Sequence, residues 1–126
     1  MEKEKKILLV DDEPDFIEMM TERLEANNYR VIPARDGKEA LEKVRQDKPD
    51  LIVLDIMIPE IDGFEVCRRL KIDKDYKDIP VLMLTVRFKA VDIKFGKALG
   101  ADAYLTKPVD SKILIYNIKR LLKNKK

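Results

Sequence analysis

Short apolar runs alternate along this chain with longer stretches in which apolar residues recur at helical spacing. Ile7-Leu-Leu-Val10, Leu51-Ile-Val-Leu54 and Ile79-Pro-Val-Leu-Met-Leu-Thr85 are too brief for helices. Their lack of polar alternation predicts strands buried on both faces, as in a parallel sheet. Tyr29-Arg-Val-Ile-Pro33 is more mixed and carries a proline, which suits a sheet edge, and Asp102-Ala-Tyr-Leu105 predicts a short last strand. Between them lie five helical patterns. Phe16, Ile17, Met20 and Leu24 follow Pro14 and stop near Asn27-Asn28; Ala40, Leu41 and Val44 follow Asp36 and Glu39 and stop at Pro49. Phe64, Val66, Cys67 and Leu70 follow Asp62, which has Glu65 three residues on, and Val91, Phe95, Ala98 and Leu99 mark a fourth helix that Gly100 terminates. Asp110 then caps a last helix with Ile113, Leu114, Ile118, Leu121 and Leu122 inward.

Five strands alternating with five helices through short connections predict a doubly wound α/β domain. The expected architecture is a five-stranded parallel sheet in the order 2-1-3-4-5, covered by helices on both faces in a flavodoxin-like three-layer arrangement. With 126 residues, the chain is read as one domain over 1–126 with no room for a second, output domain.

Composition narrows the chemistry. The 26 basic and 24 acidic residues nearly balance, at a net charge of +2, which argues against a direct nucleic-acid footprint. There is no histidine, so charge-relay hydrolysis through His is excluded along with the commonest metal ligand. Cys67 is alone and is read as a small buried apolar residue. The charged start Met1-Glu-Lys-Glu-Lys-Lys6 is neither a signal peptide nor a membrane span, so the expected location is the cytoplasm, without membrane association. The Lys-rich end after Leu122 reads as a solvated, dipole-complementing last turn.

The candidate chemistry sits at strand ends. Asp11 and Asp12 follow the first strand, Asp55 the third, Thr85 ends the fourth and Lys107 follows the fifth. In a parallel sheet all these ends share one edge, where ligands of such folds bind. Singly, each has an ordinary reading: an acid in a turn or cap, a strand threonine, a surface lysine. Their joint placement on separate strand ends is what points to a site. Three unpaired carboxylates would repel and raise one another's pKa, an objection a divalent cation removes. An all-oxygen donor set favours Mg²⁺, or Mn²⁺, over zinc, and Mg²⁺ in turn implies a phosphate substrate. Asp55 would attack phosphorus in line, with the metal, Lys107 and Thr85 each taking one phosphoryl oxygen.

Four segments, Ile7-Leu-Leu-Val-Asp-Asp-Glu-Pro14, Leu54-Asp-Ile-Met-Ile-Pro-Glu-Ile-Asp-Gly63, Leu84-Thr85 and Gly100-Ala-Asp-Ala-Tyr-Leu-Thr-Lys-Pro108, resemble the receiver domain of bacterial response regulators, in that family's order and over nearly the whole chain. The resemblance implies that Asp55 accepts a phosphoryl group from a sensor histidine kinase or phosphotransfer protein. It implies that Asp12 ligates Mg²⁺ directly, Asp11 largely through water, and Asp55 and the Met57 backbone carbonyl complete the protein ligands. Thr85 and Lys107 would bind the phosphoryl oxygens, and the Lys107-Pro108 bond would be cis. Tyr104 would be the switch aromatic, moving with Thr85 to reshape the face of the fourth helix, last strand and last helix. That face would engage a downstream protein or an output domain, the chain being a monomer or a weak, phosphorylation-dependent dimer. The protein would be an enzyme only in promoting its own phosphorylation and dephosphorylation, without turning over an external substrate.

The sequence departs from the family at Val86, where a small residue is usual and where the larger side chain could crowd the site. Ala103 replaces a frequent Asp, the last helix lacks the usual Arg pattern, and Val109 stands where Phe is frequent. Three other classes compete. A phosphatase or mutase of the haloacid dehalogenase type needs an acid where this chain has Met57, and a cap. A flavin mononucleotide carrier needs a phosphate loop in place of Asp11-Asp-Glu-Pro14. The third is a receiver-like binding module that is never phosphorylated.

Overall fold

The computed structural model describes residues 4–124; residues 1–3 of the charged start and 125–126 of the Lys-rich end lie outside them. Strands β1 (Lys6–Val10), β2 (Arg30–Ala34), β3 (Leu51–Leu54), β4 (Val81–Thr85) and β5 (Ala103–Thr106) alternate with helices α1 (Pro14–Glu25), α2 (Gly37–Asp47), α3 (Gly63–Lys71), α4 (Ala90–Ala98) and α5 (Ser111–Lys123). The strands form one parallel sheet in the order β2-β1-β3-β4-β5. The fold class and strand order are those the sequence pattern predicts.

The continuous apolar runs follow from position. β1, β3 and β4 are the three inner strands, and every residue of β3 and β4 is buried. Alternate residues then serve opposite layers. Leu8, Val10, Ile52, Leu54 and Met83 pack with Ala40 and Val44 of α2 and Val66, Cys67 and Leu70 of α3. Ile7, Leu9, Leu51, Val53, Leu82 and Leu84 pack with Met20 and Leu24 of α1 and Leu114, Ile118 and Leu121 of α5. Each fully buried Leu, Ile or Val contributes about 1.5–3 kcal/mol, so these two layers carry most of the stability. β2 and β5 close the edges with mixed burial, and Pro33 stands exposed on β2.

The starts of α2, α3 and α5 are set by acids. Asp36 Oδ1 accepts from the Glu39 N–H at 2.7 Å, Asp62 Oδ1 from Glu65 at 2.9 Å and Asp110 Oδ1 from Lys112 at 2.8 Å, each cap worth about 1 kcal/mol. Glu39 reaches back to the Arg35 N–H at 2.7 Å, while the Glu65 carboxylate turns outward to Arg68 and Arg69.

The fourth helix forms where its apolar residues predict it, but of those it is Leu99 that packs against the core. Val91, Phe95 and Ala98 face solvent, and the buried residues of α4 are Asp92 and Gly96. Asp92 and Gly96 repeat the helical spacing of Val91 and Phe95 one position on. Here Asp92 is tolerated because Arg87 pairs with it at 2.8 Å. Gly96 lets the helix approach closely: a Cβ there would lie 2.9 Å from Met83 Sδ and 3.2 Å from the Tyr104 ring, so the Met83 side chain would have to shift. Ile113 is likewise exposed on α5, one position off its buried stripe of Leu114, Ile118 and Leu121. Strand edges shift slightly: β4 begins at Val81, two residues later than expected, and β5 runs one residue further, to Thr106. Among the described residues no helix is long and apolar enough to cross a membrane.

Candidate functional site

β1 and β3 are neighbours, with Val10 level with Leu54. The next residue on each strand is therefore an acid, Asp11 on one and Asp55 on the other. Backbone pairing continues past the strand ends, with the Asp11 N–H donating to the Ala34 carbonyl and the Asp55 N–H to the Val10 carbonyl, both at 3.0 Å. This fixes both side chains at the carboxyl edge of the sheet. Asp11 and Asp55 are buried and Asp12 is exposed, and one carboxylate oxygen from each of the three lies within 4.8 Å of the others. Hard oxygen donors at this spacing fit a small divalent cation that keeps several waters.

The two buried carboxylates are held alike. Asp11 Oδ1 accepts from the Glu13 N–H at 2.9 Å, and Asp55 Oδ1 from the Met57 N–H at 3.1 Å, each two residues on, as Asp side chains in turns do. Their other oxygens share one donor: Lys107 Nζ lies 2.5 Å from Asp11 Oδ2 and 3.1 Å from Asp55 Oδ2. The carboxylates are thus not left unpaired, as repulsion between bare acids had suggested; a lysine bridges them. Burial pushes the Asp11 pKa up, against the lowering effect of its bonds to Lys107 and Glu13. Burial would lower the Lys107 pKa, but the Asp11 hydrogen bond and the two negative charges outweigh it and hold the ammonium above its usual value.

Lys107 is delivered from the end of β5. Its N–H donates to the Thr85 carbonyl at 2.8 Å, and the Lys107-Pro108 bond is cis. The Phe16 ring lies against the ammonium, with its centroid 4.3 Å from Nζ. Thr85 is fully buried at the end of β4, and its hydroxyl accepts a long, 3.4 Å bond from the Arg87 N–H. Val86 is half-exposed and lines an apolar notch with Phe16, Met19 and Pro108. Met57 extends its side chain outward.

Tyr104 on β5 is partly buried, and its hydroxyl donates to the Arg87 carbonyl at 2.7 Å. Arg87 is a residue that sequence reasoning missed. Its guanidinium pairs with Asp92 and lies 5.6 Å from the centre of the Phe64 ring, which meets Phe95 edge to face at 4.8 Å. Its place two residues after Thr85 was the available signal. The contact of Phe16 with Lys107 was also missed, because an apolar residue on a helix reads as core.

Gly63 completes the frame. Its N–H donates to the Ile56 carbonyl at 2.8 Å, and a Cβ there would lie 2.3 Å from the Asp55 carbonyl oxygen. The start of α3 therefore presses directly on the backbone that carries Asp55. A surface cavity of about 480 Å³ lies away from this edge, beside Lys71 and Asp102. Lys71 there is committed to Asp102 and to the carbonyls of Lys77 and Ile79, a structural clasp.

Residues 7–119 match the family model described as the response regulator receiver domain. The chain is 45% identical over 119 residues to the alkaline phosphatase synthesis transcriptional regulatory protein PhoP of Bacillus subtilis, covering 94% of this chain and 49% of that protein. It is 38% identical over 117 residues to Protein PilH of Pseudomonas aeruginosa, covering 93% of this chain and 97% of that one. The chain spans about half the length of most of the curated relatives it matches. Among solved structures, the chemotaxis response regulator CheY4 of Vibrio cholerae superposes with a TM-score of 0.87 at 34% identity, over 94% of this chain and 98% of that one. The receiver domain of Francisella response regulator 1452 superposes at 0.90 with 32% identity, over 97% and 99%. The strand order, the acid edge and these matches agree, and the chain belongs to the response regulator receiver domain family.

Proposed function

We propose that this receiver accepts a phosphoryl group on Asp55 in a divalent-metal-dependent reaction and uses it to change the surface it offers to a partner protein. The observation that carries this reading is the arrangement of Asp55: one carboxylate oxygen fixed by the Met57 N–H, the other facing Lys107, and two further acids within 4.8 Å. Asp55 attacks phosphorus in line, the bond from phosphorus to the donor's nitrogen or oxygen breaks, and the product is an acyl phosphate. The donor is a phosphohistidine of a sensor kinase or phosphotransfer protein, and its imidazole leaves with a proton from solvent.

Asp11, Asp12, Asp55 and the Met57 carbonyl are the groups that would hold Mg²⁺, with Mn²⁺ as a substitute. Bound there, the metal neutralises charge on the transferring phosphoryl oxygens. Lys107 begins paired to Asp55 and passes its hydrogen bond to a phosphoryl oxygen as that carboxylate is phosphorylated. Thr85, whose hydroxyl makes only a long bond to the Arg87 N–H, supplies a second donor. Because Tyr104 is tied to the carbonyl of Arg87, movement of the segment after Thr85 is transmitted to the β5 edge. The outcome is a shift between two arrangements of α4, β5 and α5, of which phosphate favours one. Residues 1–126 act as one receiver unit in the cytoplasm, whose target is a separate protein or an output domain.

Intact mass after incubation with acetyl phosphate tests this. One added phosphoryl group is expected with Mg²⁺, none with the metal chelated, and none in Asp55→Asn. No adduct in the folded wild type after rapid quenching would contradict the reading and favour a binding module that is never phosphorylated.

A further inference from the structure

We infer that Phe16 is the positioning residue for Lys107, its ring walling the ammonium onto the side where the two carboxylates lie. An ammonium has three N–H donors and no acceptor. Two donors are used, on Asp11 Oδ2 and Asp55 Oδ2. The Phe16 ring lies 4.3 Å from the nitrogen and covers a further side of it, so the Lys107 side chain is only 11% exposed although it ends in a full charge.

The choice of an aromatic ring has a chemical consequence. A third polar acceptor would compete with the carboxylates, and open water would let the long side chain swing out. The negative face of a ring attracts the cation without forming a competing hydrogen bond, and it keeps water away. Phe16 can do this because α1 holds it firmly: Pro14 begins the helix, and the ring also packs against the layer of Met20, Leu24 and Leu114. The lysine is left with one direction of freedom, along the edge from Asp11 to Asp55, where a phosphoryl oxygen on Asp55 would arise. Phe16 touches none of the reacting atoms; it acts through Lys107.

The kinetic half of this inference rests on the reading of Asp55 as phosphoacceptor, and the structural half does not. The test uses the full chain labelled with ¹³C-lysine, as wild type, Phe16→Leu, Phe16→Met and Phe16→Tyr, with Lys107→Arg used to assign the Lys107 resonance. Ring current should move the wild-type Lys107 ε-methylene signal upfield. The shift should vanish in the Leu and Met variants and return in Tyr. Acetyl phosphate with Mg²⁺ should label the Leu and Met variants about three- to tenfold more slowly than wild type, with Tyr close to wild type. Urea unfolding of the same samples separates this from loss of fold, since Leu and Met keep the apolar character with a smaller volume. An ε-methylene signal equal in wild type and Phe16→Leu overturns the inference, and so does a lost ring-current shift with unchanged labelling. If wild type itself takes no phosphoryl group, the phosphoacceptor reading and the kinetic role of Phe16 fall together, and the ring-current comparison alone decides whether the ring holds the lysine.

Discussion

Lys107 Nζ stands 3.1 Å from Asp55 Oδ2 while it also bonds Asp11 Oδ2. One cation from the end of β5 therefore balances two buried acids from β1 and β3, across the width of β4. This makes the carboxyl edge of the sheet tolerable before any metal binds, and it leaves exposed Asp12 as the acid that Lys107 does not pair.

Metal binding should consequently read out as stability. A ligand that binds only the folded state at 100 times its Kd adds about 2.7 kcal/mol. Adding Mg²⁺ is expected to raise the melting temperature of wild type, and this rise should largely disappear in Asp12→Asn. Lys107→Met should start from a lower melting temperature, having lost its hydrogen bonds to two buried acids, and should gain more from Mg²⁺ than wild type does. Differential scanning fluorimetry across a Mg²⁺ titration checks all three.

Gly63→Ala should damage both fold and site. The added methyl would meet the Asp55 carbonyl oxygen at 2.3 Å, and that neighbour is backbone, which cannot rotate away. Overpacking of this kind costs about 1–3 kcal/mol. Urea unfolding should show that loss, and the Mg²⁺-dependent gain in stability should shrink with it, because Asp55 is carried by the displaced strand end.

Glu65 sets a small acid dependence. Its hydrogen bonds to Arg68 and Arg69 lower its pKa from the ordinary 4.5 to about 2. A depressed carboxyl pKa means that the unfolded chain takes up the proton first, so this contribution is complete above pH 4.5 and is lost as the pH falls toward about 2. The melting-temperature difference between wild type and Glu65→Gln should be constant above that window and close within it. Since the group is exposed, high salt should reduce the difference throughout.

The sheet was legible because Ile7-Leu-Leu-Val10 and Leu51-Ile-Val-Leu54 are buried on both faces and need no polar alternation. The helix starts were legible because Asp36, Asp62 and Asp110 satisfy backbone N–H groups within their own turn. The gathering of Asp11, Asp12 and Asp55 followed from strand order alone. What the pattern misplaced was decided by side-chain contacts that hydrophobic periodicity does not record. Asp92 is buried because of the Arg87 side chain, and Phe95 is exposed although it meets Phe64. Lys107 is held by a ring some ninety residues earlier in the chain, and no local pattern records such a pair.

The most direct test of the phosphoacceptor claim is to trap the modified residue. After treatment with acetyl phosphate and Mg²⁺, borohydride reduces an aspartyl phosphate to homoserine, and peptide sequencing by mass spectrometry locates it. The account predicts homoserine at position 55 alone, absent when the metal is chelated. Homoserine at Asp11 or Asp12 instead, or at no position while the protein remains folded, would contradict it.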